Sequence, residues 1–340
     1  MFVAMSGGVD SSVSAFLLRK KGINVKGVTF RLFDSDSSKK AIDDAKIVCD
    51  HIGIEHIVLD LRNEFKKNVI EYFINEYAHG RTPNPCAICN KTIKFGAALE
   101  KLQNLGTQKI ATGHYSKIVH SNGRYCVKKN SNFKDQSYYF CLLSQSQLGK
   151  IVTPVADFSK NEVRKIAQEN NIPVWNKKDS QDICFIENSY REFLKKTGIK
   201  PCRGNFINES GDILGTHEGI HNYTVGQRKG LGVSFGKRVY IKKINYLTNE
   251  IIVSYKFIVT KFEISNVNFV SFDRNEIGEN VQICVRYNSI PINCKIKINN
   301  SKNIIVILES PSSNVCPGQF AVAYTNNFLA FGGVISRIIP

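Results

Sequence analysis

Apolar positions in the first 200 residues fall into short runs, separated by stretches where they recur every three to four residues. Runs at 25–33, 55–61 and 109–113 read as strands, and 41–52, 65–77 and 89–105 read as helices. The chain opens in the same way: FVAM is strand-like, SGGVDSS is a small-residue turn, and VSAFLL begins an amphipathic segment. Strand and helix in alternation predict a parallel sheet with crossover helices. Ligands of such sheets bind beyond the carboxyl ends of the strands, the level at which residues 6–12, Phe30, Gly113 and His114 stand. Two further helices have marked starts, Ser159 with Glu162 and Ser189 with Glu192, each a hydroxyl followed three positions on by a carboxylate. After Pro201 the period changes: RVYIKKI, EIIVSY, VQICVRY, CKIKI and NIIVILE are short β-branched strands between turn residues, with no long helix. One or two small, barrel-like β domains therefore follow the α/β domain.

Composition narrows the class. A chain of 340 residues predicts two or three domains. With 42% hydrophobic and 22% charged residues it reads as an ordinary globular protein, and no segment approaches the roughly 18 apolar residues of a membrane span. The start has no basic stretch, long apolar core or cleavage site, so the expected location is cytoplasmic. Ten cysteines then read as free or catalytic thiols, mostly buried and inert, and not as a disulfide framework. The net charge of +17 suggests a polyanionic partner, and only one of those surplus charges lies in 263–340. A lysine-rich composition would give the same sum.

The turn SGGVDSS between a strand and a helix gathers unpaired backbone N–H groups and the positive end of the helix dipole at one point. Glycines let the backbone approach an anion and hydroxyls add donors. The lysine of a P-loop is absent. The turn resembles instead the pyrophosphate loop of the ATP pyrophosphatase superfamily, which adenylates a carbonyl oxygen. That resemblance implies that Asp10 helps to hold magnesium with ATP. A tight structural turn capped by Ser6 is the alternative.

Cysteines supply the second chemistry. In GRTPNPCAICNKTIKFGAAL, Cys86 and Cys89 stand one turn apart near a helix start, where the dipole lowers a thiol pKa. In KKDSQDICFI, Cys184 follows Lys177 and Lys178, which favour thiolate. Each alone reads more readily as a small core residue than as a nucleophile, and Cys86 with Cys89 as half of a zinc site, although no second pair with finger-like spacing appears. The remaining cysteines, Cys49, Cys126, Cys141, Cys202, Cys284, Cys294 and Cys316, read as core or bland surface.

SGGVDSSV, GRTPNPCAICNKTIKF, IATGHY, KDQSYYF, KKDSQDICFI and YTVGQRKGLG occur in the order and at about the spacing of the tRNA-specific 2-thiouridylases, the MnmA family, and the resemblance runs from Phe2 to Gly333. It implies ATP-dependent replacement of the oxygen on carbon 2 of the wobble uridine, position 34, by sulfur, releasing AMP and pyrophosphate. It also implies an α/β PP-loop domain over 1–200, resembling adenine-nucleotide α-hydrolases, a small central β domain over 201–262 and a C-terminal β-barrel over 263–340. Carried over, ATP falls on Ala4, Met5, Ser6, Gly7, Gly8, Val9, Asp10, Ser11, Phe30 and Gly113. Cys89 matches the nucleophile and Cys184 the persulfide carrier, and the two form a transient disulfide. Such a bond needs Cα atoms about 4.4 to 6.8 Å apart in at least one state, so the resemblance implies a loop that moves. Asn84, Pro85 and Cys86 match the segment that approaches the target base. Contacts to tRNA match His114, Lys134, Asp135, Gln136, Arg286, Tyr287 and Gln319. Where many members have an aspartate that exchanges protons, this chain has Cys86, which is also able to resolve a disulfide or ligate metal.

Sulfur is then expected from a cysteine desulfurase, directly or through a relay protein, and the protein is expected to be a monomer. An iron-sulfur cluster on Cys86, Cys89 and Cys184 is the less favoured variant. Two other function classes fit parts of the pattern: an adenylating ligase for a small molecule, although no glutaminase segment supplies ammonia, and a non-catalytic basic RNA-binding protein. Residues 223–241 read as a basic hairpin toward RNA or a sulfur donor, or as an exposed glycine turn. His217 and His221 read as surface residues.

Overall fold

The computed structural model describes residues 1–130, 134–178, 183–299 and 302–340. The acidic centre of KKDSQDICFI, residues 179–182, lies outside them.

Five strands form the first sheet: β1 (Phe2–Ala4), β2 (Lys26–Arg31), β3 (His56–Asp60), β4 (Ile110–Ala111) and, beyond the hairpin of β5 (Lys117–Ser121) and β6 (Arg124–Lys128), β7 (Ile151–Val152). Their order is β3-β2-β1-β4-β7 with every pair parallel. The chain leaves β1 to one side for β2 and β3 and returns on the other for β4, so the sheet reverses direction at β1. That is where α/β sheets open a ligand crevice. Helices α1 (Val9–Lys20) and α2 (Asp36–Ile52) are the first crossovers. Ser35 caps α2 by accepting from the Ser38 amide at 3.0 Å, and Gly53 ends it in the left-handed region at φ 68°.

The helices expected over 65–77 and 89–105 are longer and less regular than their apolar period indicates. The first runs Arg62–Phe65, widens into a π turn at Lys66–Ile70 and continues over Glu71–Ala78. The second starts at Pro85, where Asn84 caps it by accepting from the Ala87 amide at 3.3 Å, and passes through a π segment, Asn90–Ala97, into Ala98–Gln103. Gly96 sits at φ −106°, ψ −106° within that segment, and a Cβ there would stand 2.9 Å from the Lys91 carbonyl oxygen.

Strands β8 (Gly204–Ile207), β9 (Ile213–His217), β10 (Tyr240–Asn245) and β11 (Glu250–Ser254) form the small central sheet, in the order β10-β11-β8-β9. The last six, β12 (Val259–Phe269), β13 (Asn280–Cys284), β14 (Ile292–Ile298), β15 (Ile304–Ser312), β16 (Phe320–Thr325) and β17 (Phe328–Ile339), close into an antiparallel barrel through the β12–β17 pairing. The hairpin β5–β6, turned by Asn122 (φ 52°) and Gly123 (φ 72°), extends that sheet from within the first domain by pairing Lys128 with Phe328. His217 and His221 are buried, at 2% and 6% exposure, which corrects the surface expectation. Rings explain it: His217 packs edge-on to Phe206 and Tyr223, and burial lowers the pKa of both histidines. Among the described residues, no helix is long and apolar enough to cross a membrane.

Candidate active site

The crevice at β1 is a cleft of about 440 Å³, lined on one wall by Ala4, Met5, Ser6, Asp10 and Ser11, with Phe30 and Gly113 beside them and Cys184 at its mouth. Its floor is shaped by the opening turn. Gly7 takes φ 66°, and a Cβ there would come 2.5 Å from the Ala41 carbonyl oxygen of α2, so only glycine fits. Gly113 lets the exit of β4 close on the start of α1: its Cβ would meet the Ser11 nitrogen at 2.7 Å. The hydroxyls brace the turn, Ser11 and Ser12 donating to the Gly8 carbonyl at 3.0 and 2.9 Å. Gly7 and Gly8 form the bend without lining the cleft, and the Val9 side chain packs into the core beneath it.

Although the turn has no lysine, remote segments bring three. Lys160, the first residue of the helix capped by Ser159, donates to Asp10 at 2.5 Å, and Lys134 lies 3.8 Å from the same carboxylate. Lys177 donates to the Gly7 carbonyl at 2.9 Å and to Asp44 at 2.6 Å. The Tyr115 hydroxyl also donates to Asp10, at 2.6 Å. By sequence, Lys134 was assigned to tRNA and Lys177 to Cys184, and neither Tyr115 nor Lys160 was singled out. Two lysines and a phenol thus surround Asp10, placing cationic and hydroxyl donors at the end of the cleft formed by the opening turn.

The three candidate thiols lie near enough for their charges to interact, with Cys184 alone lining the cleft. Cys86 and Cys89 lie in the helix begun by Pro85, and Cys89 is buried at 7% exposure among Phe65, Ile93 and Phe185. Burial pushes the Cys89 thiol up to about 12, with Lys94 opposing and the charges of Cys184 and Cys86 adding to the rise. Burial also raises Cys86 against the pull of Lys94. Cys184 is exposed as a residue and lines the cleft. Desolvation there pushes it up to about 11, with Cys86 adding and Lys94 opposing. The expectation of thiolates favoured by the helix dipole, Lys177 and Lys178 is thus corrected. Desolvation outweighs the end of a short helix, Lys177 is engaged by Asp44 and Gly7, and the opposing cation is Lys94. Among the described residues no three metal-ligating side chains converge on one point.

Around them stand the residues expected to meet RNA. His114 lines the cleft beside Phe140 and Phe95 and shares a 2.9 Å hydrogen bond with the Thr112 hydroxyl. Burial, and then Lys94, hold its imidazole neutral. Gln136 accepts from the Tyr115 amide at 3.0 Å, and Asp135 accepts from Ser137 and the Asn130 amide at 2.7 and 3.0 Å. The Tyr287 ring lies tilted against Tyr139, centroids 4.4 Å apart, both close enough to Cys86 for its charge to oppose their ionisation. Arg286 donates to the Asn314 carbonyl at 3.0 Å. Gln319 turns inward, donating to the Thr82 and Pro83 carbonyls at 3.0 Å each, so the barrel grips the segment that presents Asn84, Pro85 and Cys86. A wider depression over Arg228 to Val239 holds none of the thiols.

Three family models cover the chain: the tRNA methyl transferase HUP domain over residues 1–188, its PRC-barrel domain over 191–255 and the aminomethyltransferase beta-barrel domain over 259–335. The tRNA-specific 2-thiouridylase MnmA of Clostridium acetobutylicum is 40% identical over 348 residues, 98% of each chain. The chain belongs to the MnmA family of 2-thiouridylases. A MnmA protein of Clostridium botulinum is likewise 40% identical over 356 residues, 100% of this chain and 98% of that one. A looser likeness, with TM-score 0.37 and 18% identity over 58% of this chain and 63% of the other, joins it to the U34-tRNA thiolase NcsA of Methanococcus maripaludis with its 4Fe-4S cluster. Family membership implies that the chain binds ATP.

Proposed function

We propose that this protein is a tRNA-uridine 2-sulfurtransferase that thiolates the wobble uridine using ATP and a cysteine persulfide. The observation that carries the reading is that the pyrophosphate loop and Cys184 line one cleft, with Cys86 and Cys89 beside it. A methyl transfer, the activity in the names of two of the domain models, has no use for that pairing.

A uracil carbonyl is a weak electrophile with a poor leaving group. The carbon-2 oxygen attacks the α-phosphate of ATP, pyrophosphate departs into the turn lined by Ser6 and Ser11, and the adenylate becomes a leaving group. Lys134, Lys160 and Lys177 surround the place where that charge develops. The terminal sulfur of a Cys184 persulfide then forms a bond to carbon 2 as AMP leaves. The Cys89 thiolate attacks the Cys184 sulfur, the electron pair of the old S–S bond stays on the sulfur at carbon 2, and a Cys89–Cys184 disulfide results. A dithiol reductant returns both thiols. Asn84, Pro85 and Cys86 receive the splayed base, and Cys86, held protonated by burial, serves as the proton carrier. The sulfur comes from a desulfurase or relay, in the cytoplasm where tRNA is found, and the enzyme acts as a monomer.

Incubation with tRNA, ATP, cysteine, a cysteine desulfurase and a dithiol should yield 2-thiouridine on nucleoside mass spectrometry. AMP and pyrophosphate should appear only with tRNA. Cys89→Ser and Cys184→Ser should each abolish the product while still binding ATP; thiolation by both variants would remove the mechanism.

A further inference from the structure

We propose that Lys94 is a positioning residue that holds the sulfur nucleophile in its anionic form, its ammonium facing the thiols of Cys184 and Cys89 from a widened helical turn. Lys94 is half-buried and lines the same cleft as Cys184 and His114. Among the described residues it has no ion pair or hydrogen bond, while the other lysines near the turn are committed, Lys134 and Lys160 to Asp10 and Lys177 to Asp44. An ammonium withdrawn from water without a counter-charge is unfavourable, so the position fits an anion that comes and goes. The phosphate end already has its three cations. What remains within reach of Lys94 is sulfur, and its charge opposes the rise at Cys86, Cys89 and Cys184 alike.

The backbone explains how Lys94 arrives there. In a regular α-helix, residues five apart point roughly 140° away from each other at 3.6 residues per turn. The π segment Asn90–Ala97 closes its bonds five residues apart, adding about one residue to the turn, and so swings Lys94 back toward the side of Cys89. Gly96 permits the distortion, since a Cβ would run into the Lys91 carbonyl. The titratable groups facing Lys94 are Cys86 and Cys89 from its own helix, His114 from the exit of β4 and Cys184 from the segment before the helix Tyr190–Lys196. Asp10 lies across the cleft, its charge met by Lys134 and Lys160.

For its biological use the inference rests on the thiolation reading, but its test needs neither tRNA nor ATP. Full-length Lys94→Arg, Lys94→Gln and Lys94→Glu proteins are alkylated with iodoacetamide from pH 7 to 11, and each cysteine peptide is followed by mass spectrometry. At pH 8 the Cys184 rate should be parental in the arginine variant and fall by about threefold to tenfold in the glutamine variant, the effect of half to one pKa unit. It should fall further with glutamate. If one variant fails to fold, the other two still give the order. Rates that do not follow the charge overturn the proposal. Charge-ordered alkylation in a parent protein that makes no 2-thiouridine would overturn the thiolation reading and leave the action of Lys94 on sulfur standing.

Discussion

Replacing Gln319 by alanine separates two roles that one side chain is able to fill. The amide donates to both the Thr82 and Pro83 carbonyls at 3.0 Å in a partly buried setting. A net contribution of about 0.5 to 1.5 kcal/mol per hydrogen bond gives a loss of roughly 1 to 3 kcal/mol for the pair. At about 2.1 cal/mol/K of unfolding entropy per residue, a chain of 340 residues shifts by roughly 1.4 °C per kcal/mol, so the melting temperature should fall by about 1 to 4 °C. The released segment carries Asn84, Pro85 and Cys86, so thiolation turnover should fall while ATP affinity stays constant. Thermal melting of the RNA-free protein is the decisive assay. A melting temperature identical to the parent's, together with weaker tRNA binding, would show that Gln319 works by touching RNA and would refute the clasp. Gln319→Glu should be worse than alanine, because it places a carboxylate against two carbonyl oxygens.

Gly113→Ala should nearly abolish ATP-dependent AMP formation, since the new methyl meets the Ser11 nitrogen at 2.7 Å and neither backbone has room to yield. Overpacking of this kind costs about 1 to 3 kcal/mol, so the protein should still fold, and a variant with parental ATP turnover would contradict the placement of the loop. Alkylation of Cys89 in the free protein should still be rising at pH 10, because burial carries its thiol up to about 12. The same shift favours the folded state while the thiol is protonated, below its ordinary value near 9, and that stability is lost as pH climbs toward about 12; melting curves from pH 8 to 11 should show the decline.

The parallel sheet was legible because β1 is an unbroken apolar run and the middle of β2, Gly27 to Thr29, is buried, as expected of strands covered on both faces. The caps of the helices Lys160–Glu169 and Tyr190–Lys196 were legible because a hydroxyl and a carboxylate three apart have few other uses. The hairpin β5–β6 was missed although Asn122 and Gly123 spell its turn, since its partner strand β17 lies two hundred residues later. The loop and thiol motifs were readable because small residues and cysteines at those spacings are chemically narrow. Thiol acidity was not: it depends on desolvation by Phe65 and Phe185 from distant elements, a balance that no local spacing contains. Lys94 was hidden for a related reason, since a helical wheel drawn with 3.6 residues per turn points it away from Cys89.

The continuity of the barrel with the first domain bears on how such a chain is able to come apart. Phe2, Val28 and Phe95 share one buried cluster with Phe320, Val322 and Leu329, so the two ends of the polypeptide solidify together. A newly made chain halted before its final strands would present wet, unfinished hydrophobic surface behind the nucleotide crevice, and shortened fragments should therefore be targets for proteolysis and not miniature enzymes.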